Sequence, residues 1–280
     1  MDHHLDLANF AFATRTSYLR GVRDLILHYQ RLPEQCSVDE IKAFLIHQRD
    51  QKQLASSTLN IKVCSIKYYF REVIQRLDLV VNIPNPRIQK YDTEILTFEE
   101  LLLLKKVCRD MRQLLIISLL YDTGIRVREL IRLRPADFDK HHRSITIRNS
   151  KGNKTRIVYY GEELRNILVR YCNARGGVPP HALLESYVDP DKPLSIRGVQ
   201  HIVRQIVKRS GLKKRIHSHT FRHTFAVHYL NANGSLPRLQ RLLGHKQITT
   251  TLHYLKYAHL SDAIHLSVLD VLCKLTKQQP

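Results

Sequence analysis

Two arginines, two histidines and a tyrosine carry the chemistry in this sequence. Arg126 stands in the run Thr123-Gly124-Ile125-Arg126-Val127-Arg128-Glu129-Leu130, and His219, Arg222, His245 and Tyr254 follow near the end of the chain. A guanidinium presents a planar fork that matches two non-bridging phosphate oxygens and keeps its charge at neutral pH; a pair of them can hold and neutralise a pentacoordinate phosphorane. The phenol supplies an oxygen nucleophile. With a pKa of about 10 it is weak near neutrality unless neighbouring cations or a base favour the phenoxide. A phenolate also leaves more readily than an alkoxide, so a phosphotyrosine bond stays near the energy of a phosphodiester and an incoming hydroxyl can reverse it. Such a transfer calls for no cofactor, neither ATP nor a metal ion, in contrast to nucleases built on carboxylate-bound Mg²⁺.

The composition points to a polyanionic partner. The formal charge is +20, from 45 Lys and Arg against 25 Asp and Glu, which is well beyond what solubility requires. Residues 1–92 carry 13 basic and 10 acidic side chains, net +3, whereas residues 93–280 carry 32 and 15, net +17. The second segment is the stronger electrostatic candidate. The 43% hydrophobic content over 280 residues suffices for one large or two ordinary domains with real cores. Five scattered cysteines, Cys36, Cys64, Cys108, Cys172 and Cys273, never form Cys-x-x-Cys and read as reduced thiols. No stretch approaches the roughly 18 apolar residues of a membrane span, and the N-terminus lacks the pattern of a signal peptide, so a cytoplasmic address is expected.

The elements that must position these side chains are mostly helices. Residues 10–82 show helical periodicity without a convincing strand. Ser37-Val38-Asp39-Glu40 has the spacing of a capping box and opens a helix toward Arg49. Ser56 or Ser57 opens another, with Leu59, Val63, Ile66, Tyr69, Phe70 and Val73 on its apolar side. Lys62, Lys67 and Arg71 fall on the other face, as a solvated surface or a DNA-facing one. Pro84 and Pro86 interrupt the pattern, which places a linker over residues 84–93 between a helical domain, 1–83, and a second domain, 94–260.

In the second domain, Thr97-Phe98-Glu99-Glu100 is another capping box, predicting a helix through Arg109, and Met111 to Tyr121 reads as a buried helix. Gly124 closes it, so that Arg126 enters the next helix near its N-terminus with Glu129 one turn away, able to orient the guanidinium. Residues 143–148 and 155–160 alternate as a β-hairpin with Lys151 at its tip and Lys154 beside it. Ser195 caps a helix ending at Gly211. Further helices are expected over 222–231, 237–243 and 249–257, and Pro237 and Gly244 bracket the second of these, leaving His245 in the turn just past it. Residues 261–275 carry Ile264, Val268, Val271 and Leu275 at helical spacing, a tail over 261–280.

These residues resemble a known family. The run 123–130, His-Thr-Phe-Arg-His at 219–223, Leu-Leu-Gly-His at 242–245 and Tyr254 nine residues later are similar, in order and spacing, to the conserved boxes of the tyrosine recombinases, the phage-integrase and Xer group. The resemblance spans nearly the whole chain. It implies a mainly α fold: an N-terminal helical, SAM-like core-binding domain plus an α-rich catalytic domain with a small antiparallel sheet, together forming a clamp around DNA. It further implies that Arg126 and Arg222 hold the scissile phosphate while Tyr254 attacks it, giving a 3′-phosphotyrosine and a free 5′-hydroxyl. Lys151 matches the hairpin lysine that protonates the departing oxygen, with Lys154 its competitor. His219 matches the residue assisting proton transfer at the tyrosine, His245 the histidine beside the phosphate, and Glu129 the acidic support of the first arginine.

The partner implied is double-stranded DNA with paired inverted sites. The protein would act as a dimer per site and a tetramer in synapsis, alone or with a paralogous recombinase and accessory proteins, its tail docking on a neighbour. A type IB topoisomerase-like enzyme would share the chemistry, and a DNA-binding protein that has lost catalysis is the third reading. Small size, the helical domain and the tail favour the recombinase, and every expected catalytic position is occupied. Tyr257 reads as packing. His217 and His223 read as structural or DNA-facing, and His219 with His223, four apart, lack the Glu and third ligand of a zinc site.

Overall fold

The structure is a computed structural model, and it describes residues 1–87, 92–148 and 155–258. Chain contacts divide it into two compact units, Met1–Asp92 and Thr93–Pro280. Among the described residues no helix is long and apolar enough to cross a membrane.

The first unit is helical: α1 (Asp2–Leu7), α2 (Phe12–Tyr29), α3 (Val38–Asp50), α4 (Ser56–Tyr68), continued by a wider turn over Tyr69–Val73, and α5 (Leu77–Val81). The expected capping box forms at α3, where Ser37 Oγ accepts from the Glu40 N–H and Glu40 accepts from the Ser37 N–H. α4 begins at Ser56 with Ala55 as its cap, so neither serine caps it. Leu25, Ile41, Phe44, Val63, Ile66 and Phe70 make the core.

Lys62 departs from the expected exposed basic face. It is buried, pairs with Asp24 of α2 and lies 5.9 Å from the Phe44 ring. The cause is a close helix crossing: Gly21 of α2 lies so near α4 that an added Cβ would stand 1.9 Å from Ser65 Oγ. That approach closes α4 on the side where Lys62 projects, and Asp24 takes its charge. Lys67 is half-buried and Arg71 is exposed beside Glu72.

The second unit contains α6 (Phe98–Lys106), α7 (Met111–Thr123), α8 (Val127–Leu130), β1 (Phe138–Asp139), β2 (Ser144–Ile147), β3 (Arg156–Tyr159), α9 (Glu162–Arg175), α10 (Ile196–Ser210), α11 (Ser218–Asn231), α12 (Leu236–Leu243), α13 (Thr249–Leu252) and a 3₁₀ turn over His253–Lys256. α6 stops short of Arg109 because Asp110 caps the next helix, its carboxylate accepting from the Gln113 N–H at 2.7 Å. The hairpin forms, and β1 extends it to a three-stranded antiparallel sheet in the order β1-β2-β3. Ile145 faces Val158 and Ile147 faces Arg156 across β2 and β3. The core runs through α7, with Leu115, Ile116, Leu119 and Leu120 packed against α9, α10 and the sheet. Ala226, Val227, Leu230, Leu239, Leu243 and Tyr254 form a second cluster where α11, α12 and the final turn meet. The hairpin tip with Lys151 and Lys154, and the tail 261–280, lie outside the described residues.

Candidate active site

α11 sets the geometry of the site. It starts four residues earlier than the sequence suggests, so His219, Arg222 and His223 all ride on one helix, at spacings that turn them to one side. His217 caps this helix, its ring accepting from the Thr220 N–H.

Arg222 is 1% exposed and lies where two helix ends converge. Gly124 ends α7 and Gly244 ends α12, both in the left-handed region with φ of 59° and 64°. A helix C-terminus leaves carbonyls without intrahelical partners and carries partial negative charge. Arg222 takes both ends: Nη1 donates to the Gly124 carbonyl at 2.7 Å and Nη2 to the Leu243 carbonyl at 2.6 Å. Nη2 also donates to His245 Nε2 at 3.0 Å. Burial, with Arg126 nearby, lowers the Arg222 pKa to about 9, so it stays cationic at neutral pH while strongly favouring an anion beside it.

The same contact defines His245. A guanidinium only donates, so Nε2 accepts and the ring hydrogen sits on Nδ1, which donates to Thr251 Oγ1 at 2.9 Å. Burial and then Arg222 hold this histidine neutral, with its pKa lowered to about 4.

Arg126 caps α8, and Glu129 wraps back on it. One Glu129 oxygen accepts from the Arg126 backbone N–H at 2.8 Å and the other from its Nη1 at 3.1 Å. Glu129 also meets Arg156 of β3 through two hydrogen bonds, at 2.8 and 2.7 Å. Burial pushes this carboxyl up, but the Arg156 hydrogen bonds and the two cations outweigh it and take the pKa down to about 2. Arg156 Nε donates to the Leu242 carbonyl, which ties β3 to the end of α12 beside Arg222. A cleft of about 220 Å³ lined by Arg126, Val127, Arg128, Ser218 and His219 opens here. A larger cavity of about 970 Å³ touches Glu129 from the side of Arg134, Asp137 and Arg148 and is lined by none of Arg222, His245 and Tyr254.

Tyr254 is 4% exposed, in the last 3₁₀ turn. Its ring stacks on His245 at 6.3 Å, and its Oη lies 3.1 Å from Nδ1 of His223. Burial raises the phenol pKa, opposed by Arg222 and Arg126. His219 stacks on His223 with ring centroids 5.2 Å apart and planes 16° apart. Burial and then Arg222 lower its pKa, although much of the ring reaches solvent. Tyr257 accepts from the Thr93 N–H at 3.2 Å.

The structure therefore gathers Arg126, Glu129, His219, Arg222, His245 and Tyr254 in one place. Lys67 and Arg71 belong to the first unit. Sequence reasoning misses Arg156 and Thr251, and it gives His223 no part at the tyrosine. For Arg156 a signal exists: period two puts it on the same face of β3 as buried Val158, and a charge on a core-facing position implies a buried partner. For Thr251 the sequence carries no such signal.

The chain is similar to known proteins over most of its length. Residues 94–262 match the phage integrase family, and residues 1–77 match the phage integrase N-terminal SAM-like domain. A tyrosine recombinase of Pseudothermotoga lettingae is 34% identical over 212 residues, 74% of this chain and 73% of the relative. The tyrosine recombinase XerA of Pyrococcus horikoshii is 31% identical over 215 residues, 76% of this chain and 74% of that one. Among solved structures, the Tn1549 transposon integrase in complex with a circular intermediate DNA superposes with a TM-score of 0.75 at 21% identity, covering 96% of this chain and 97% of that one. A lambda integrase dimer bound to a core site superposes with a TM-score of 0.73 at 20% identity, over 90% and 74% of the two chains. Their likeness is one of fold. The chain belongs to the phage integrase family, the family of the tyrosine recombinases.

Proposed function

We propose that this protein is a site-specific DNA recombinase that cuts and rejoins DNA through a covalent 3′-phosphotyrosine intermediate. The observation that carries the reading is the convergence of a fully buried guanidinium, Arg222, with Arg126 and the buried phenol of Tyr254. Arg126, Arg156 and Arg222 share one carboxylate, Glu129, and the positive charge left over forms a receptor for a phosphate. Arg126 and Arg222 hold the scissile phosphate, Tyr254 attacks phosphorus, and the 5′-oxygen leaves with a proton from Lys151. Glu129 positions Arg126. His245 orients Arg222 and stands beside the phosphate, and His219 assists proton movement at the tyrosine. An incoming 5′-hydroxyl reverses each step, so the bond energy is conserved and neither ATP nor metal is consumed.

The DNA substrate is a duplex with paired inverted arms, with Lys67 and Arg71 among the phosphate contacts. Four protomers, identical or including a paralogue, exchange strands through a four-way junction, with the tail 261–280 docking between neighbours and accessory proteins directing the outcome. The net +17 of residues 93–280 and the DNA-bound integrases of the same fold support a DNA substrate. The role is dimer resolution, cointegrate resolution or mobile-element integration and excision; the tyrosine recombinase XerA and the transposon integrase bound to a circular intermediate DNA support recombination as the shared activity. A chromosomal or plasmid substrate places the protein in the cytoplasm.

The test is recovery and sequencing of DNA covalently attached to the protein in its host, wild type against Tyr254→Phe. Discrete 3′-linked sites from wild type alone are expected, and strand exchange in vitro should continue in chelator. Adducts scattered without sequence preference would favour a topoisomerase; adducts from Tyr254→Phe would remove Tyr254 as nucleophile.

A further inference from the structure

A phenol that attacks phosphorus must give up its proton, and four imidazoles stand around it, His219, His223, His245 and His253, of which His223 is the one in hydrogen-bond contact with the Tyr254 oxygen among the described residues. Geometry separates them. His245 has no free lone pair, because Nε2 is occupied by Arg222 and Nδ1 carries the hydrogen given to Thr251. His219 lies parallel to His223, 16° from coplanar. Ring-nitrogen lone pairs point in the plane of the ring, so stacked rings direct their hydrogen bonds sideways and not through one another. His223 presents Nδ1 to the Tyr254 oxygen at 3.1 Å, within general-base reach.

We propose that His223 is the catalytic residue that takes the Tyr254 proton during cleavage and returns it during rejoining, with His219 stacked behind it as a positioning residue. The inference rests on the reading of Tyr254 as nucleophile. In cleavage the Tyr254 Oη–H bond breaks and an Nδ1–H bond forms on His223, while Oη bonds to phosphorus and the P–O5′ bond breaks. The departing 5′-oxygen takes its proton from the hairpin lysine. In rejoining the 5′-hydroxyl attacks, the phenolate leaves, and His223 hands the proton back, so protons and electrons balance over the cycle.

The surroundings suit the role. The ring sits half-buried on the rigid helix α11, fixed between His219 and Tyr254. Burial and the charges of His219, His217, Arg222 and His253 lower the His223 pKa to about 4, which leaves its lone pair free at neutral pH. A scissile phosphate brings negative charge into this cluster, which raises the basicity of His223 when the substrate is bound, while Arg222 and Arg126 stabilise the phenolate.

The test is single-turnover formation of the covalent adduct on a nicked duplex that traps it, with His223→Asn and His223→Gln and with gel-shift DNA binding as the check of folding. Both variants should bind DNA like wild type and form adduct about a hundredfold more slowly. The second readout replaces Tyr254 by a ring-fluorinated tyrosine with a more acidic phenol. A phenol already ionised needs no base, so fluorination should recover at least tenfold of the His223→Asn deficit. A wild-type rate in both variants, or a deficit unmoved by fluorination, overturns the proposal while leaving the nucleophile intact. Adduct from Tyr254→Phe overturns the nucleophile itself. Should both histidine variants lose DNA binding, the solvent deuterium effect on cleavage decides: it should shrink as the phenol becomes more acidic, and a constant effect overturns the proposal.

Discussion

Glu129 and Arg156 meet as a two-pronged ion pair, carboxylate against guanidinium at 2.8 and 2.7 Å, with 7% and 11% of the two side chains exposed. Arg156 thereby keeps charged the carboxylate that orients Arg126, and its Nε bond to the Leu242 carbonyl holds the adjoining end of α12. Removing one partner of a buried pair strands the other. Arg156→Ala should lose about 3 kcal/mol of stability in denaturant titration and slow covalent cleavage, whereas Glu129→Gln, which keeps shape and some hydrogen bonding, should lose less.

Arg222→Lys keeps the charge but not the fork. A lysine ammonium cannot reach the Gly124 and Leu243 carbonyls and His245 together, which Arg222 does at 2.6 to 3.0 Å. Covalent adduct formation should fall roughly 10²- to 10³-fold. Gel-shift affinity should change only a few-fold, because most phosphate contacts lie elsewhere.

Gly124→Ala tests the helix stop behind Arg222. The φ of +59° is strained for alanine, and its Cβ would stand 2.4 Å from Phe225 Cδ1. A stability loss of about 1–3 kcal/mol is expected. Cleavage should suffer beyond that loss, since the Gly124 carbonyl anchors Arg222. The two effects separate when cleavage is measured well below the melting temperature.

Acid should destabilise the site in two stages. His223 and His245 have folded-state pKa values of about 4, below the ordinary 6.5, so the unfolded chain binds their protons first as pH falls. Their contribution is whole above pH 6.5 and is lost as pH drops toward 4. Glu129, lowered from 4.5 to about 2, contributes above pH 4.5 and loses that contribution as pH falls through its folded pKa. Denaturant midpoints at pH 7, 5.5 and 4.5 should decline for wild type and decline less for His245→Asn.

Lys62 separates stability from DNA affinity in the first unit. Lys62→Met should leave gel-shift affinity unchanged and cost about 1–2 kcal/mol by leaving Asp24 without its cation. Lys67→Ala and Arg71→Ala should instead weaken binding and each reduce the salt slope by about one.

The local grammar of this chain was written in short-range chemistry. The capping boxes at Ser37 and Thr97, the stops at Gly124, Gly211 and Gly244, and the alternation that gives β2 and β3 all depend on residues within a turn of one another. Arg126 with Glu129 is of the same kind, three residues apart across a helix start. Spacing therefore indicated these elements, and the resemblance to the tyrosine recombinases indicated most residues of the site.

Contacts between distant elements followed another rule. Lys62 sits in a helix whose pattern offers it to solvent, but Gly21, far away in sequence, lets two helices close over it. His223 meets the Tyr254 oxygen across 31 residues, Arg156 reaches Glu129 across 27, and Arg222 takes the Gly124 carbonyl across 98. Which elements form is legible in the chain, because hydrogen bonds within a turn set them. Which histidine faces the tyrosine, which tautomer His245 holds and which cations lose their water follow from the directions in which separate helices pack.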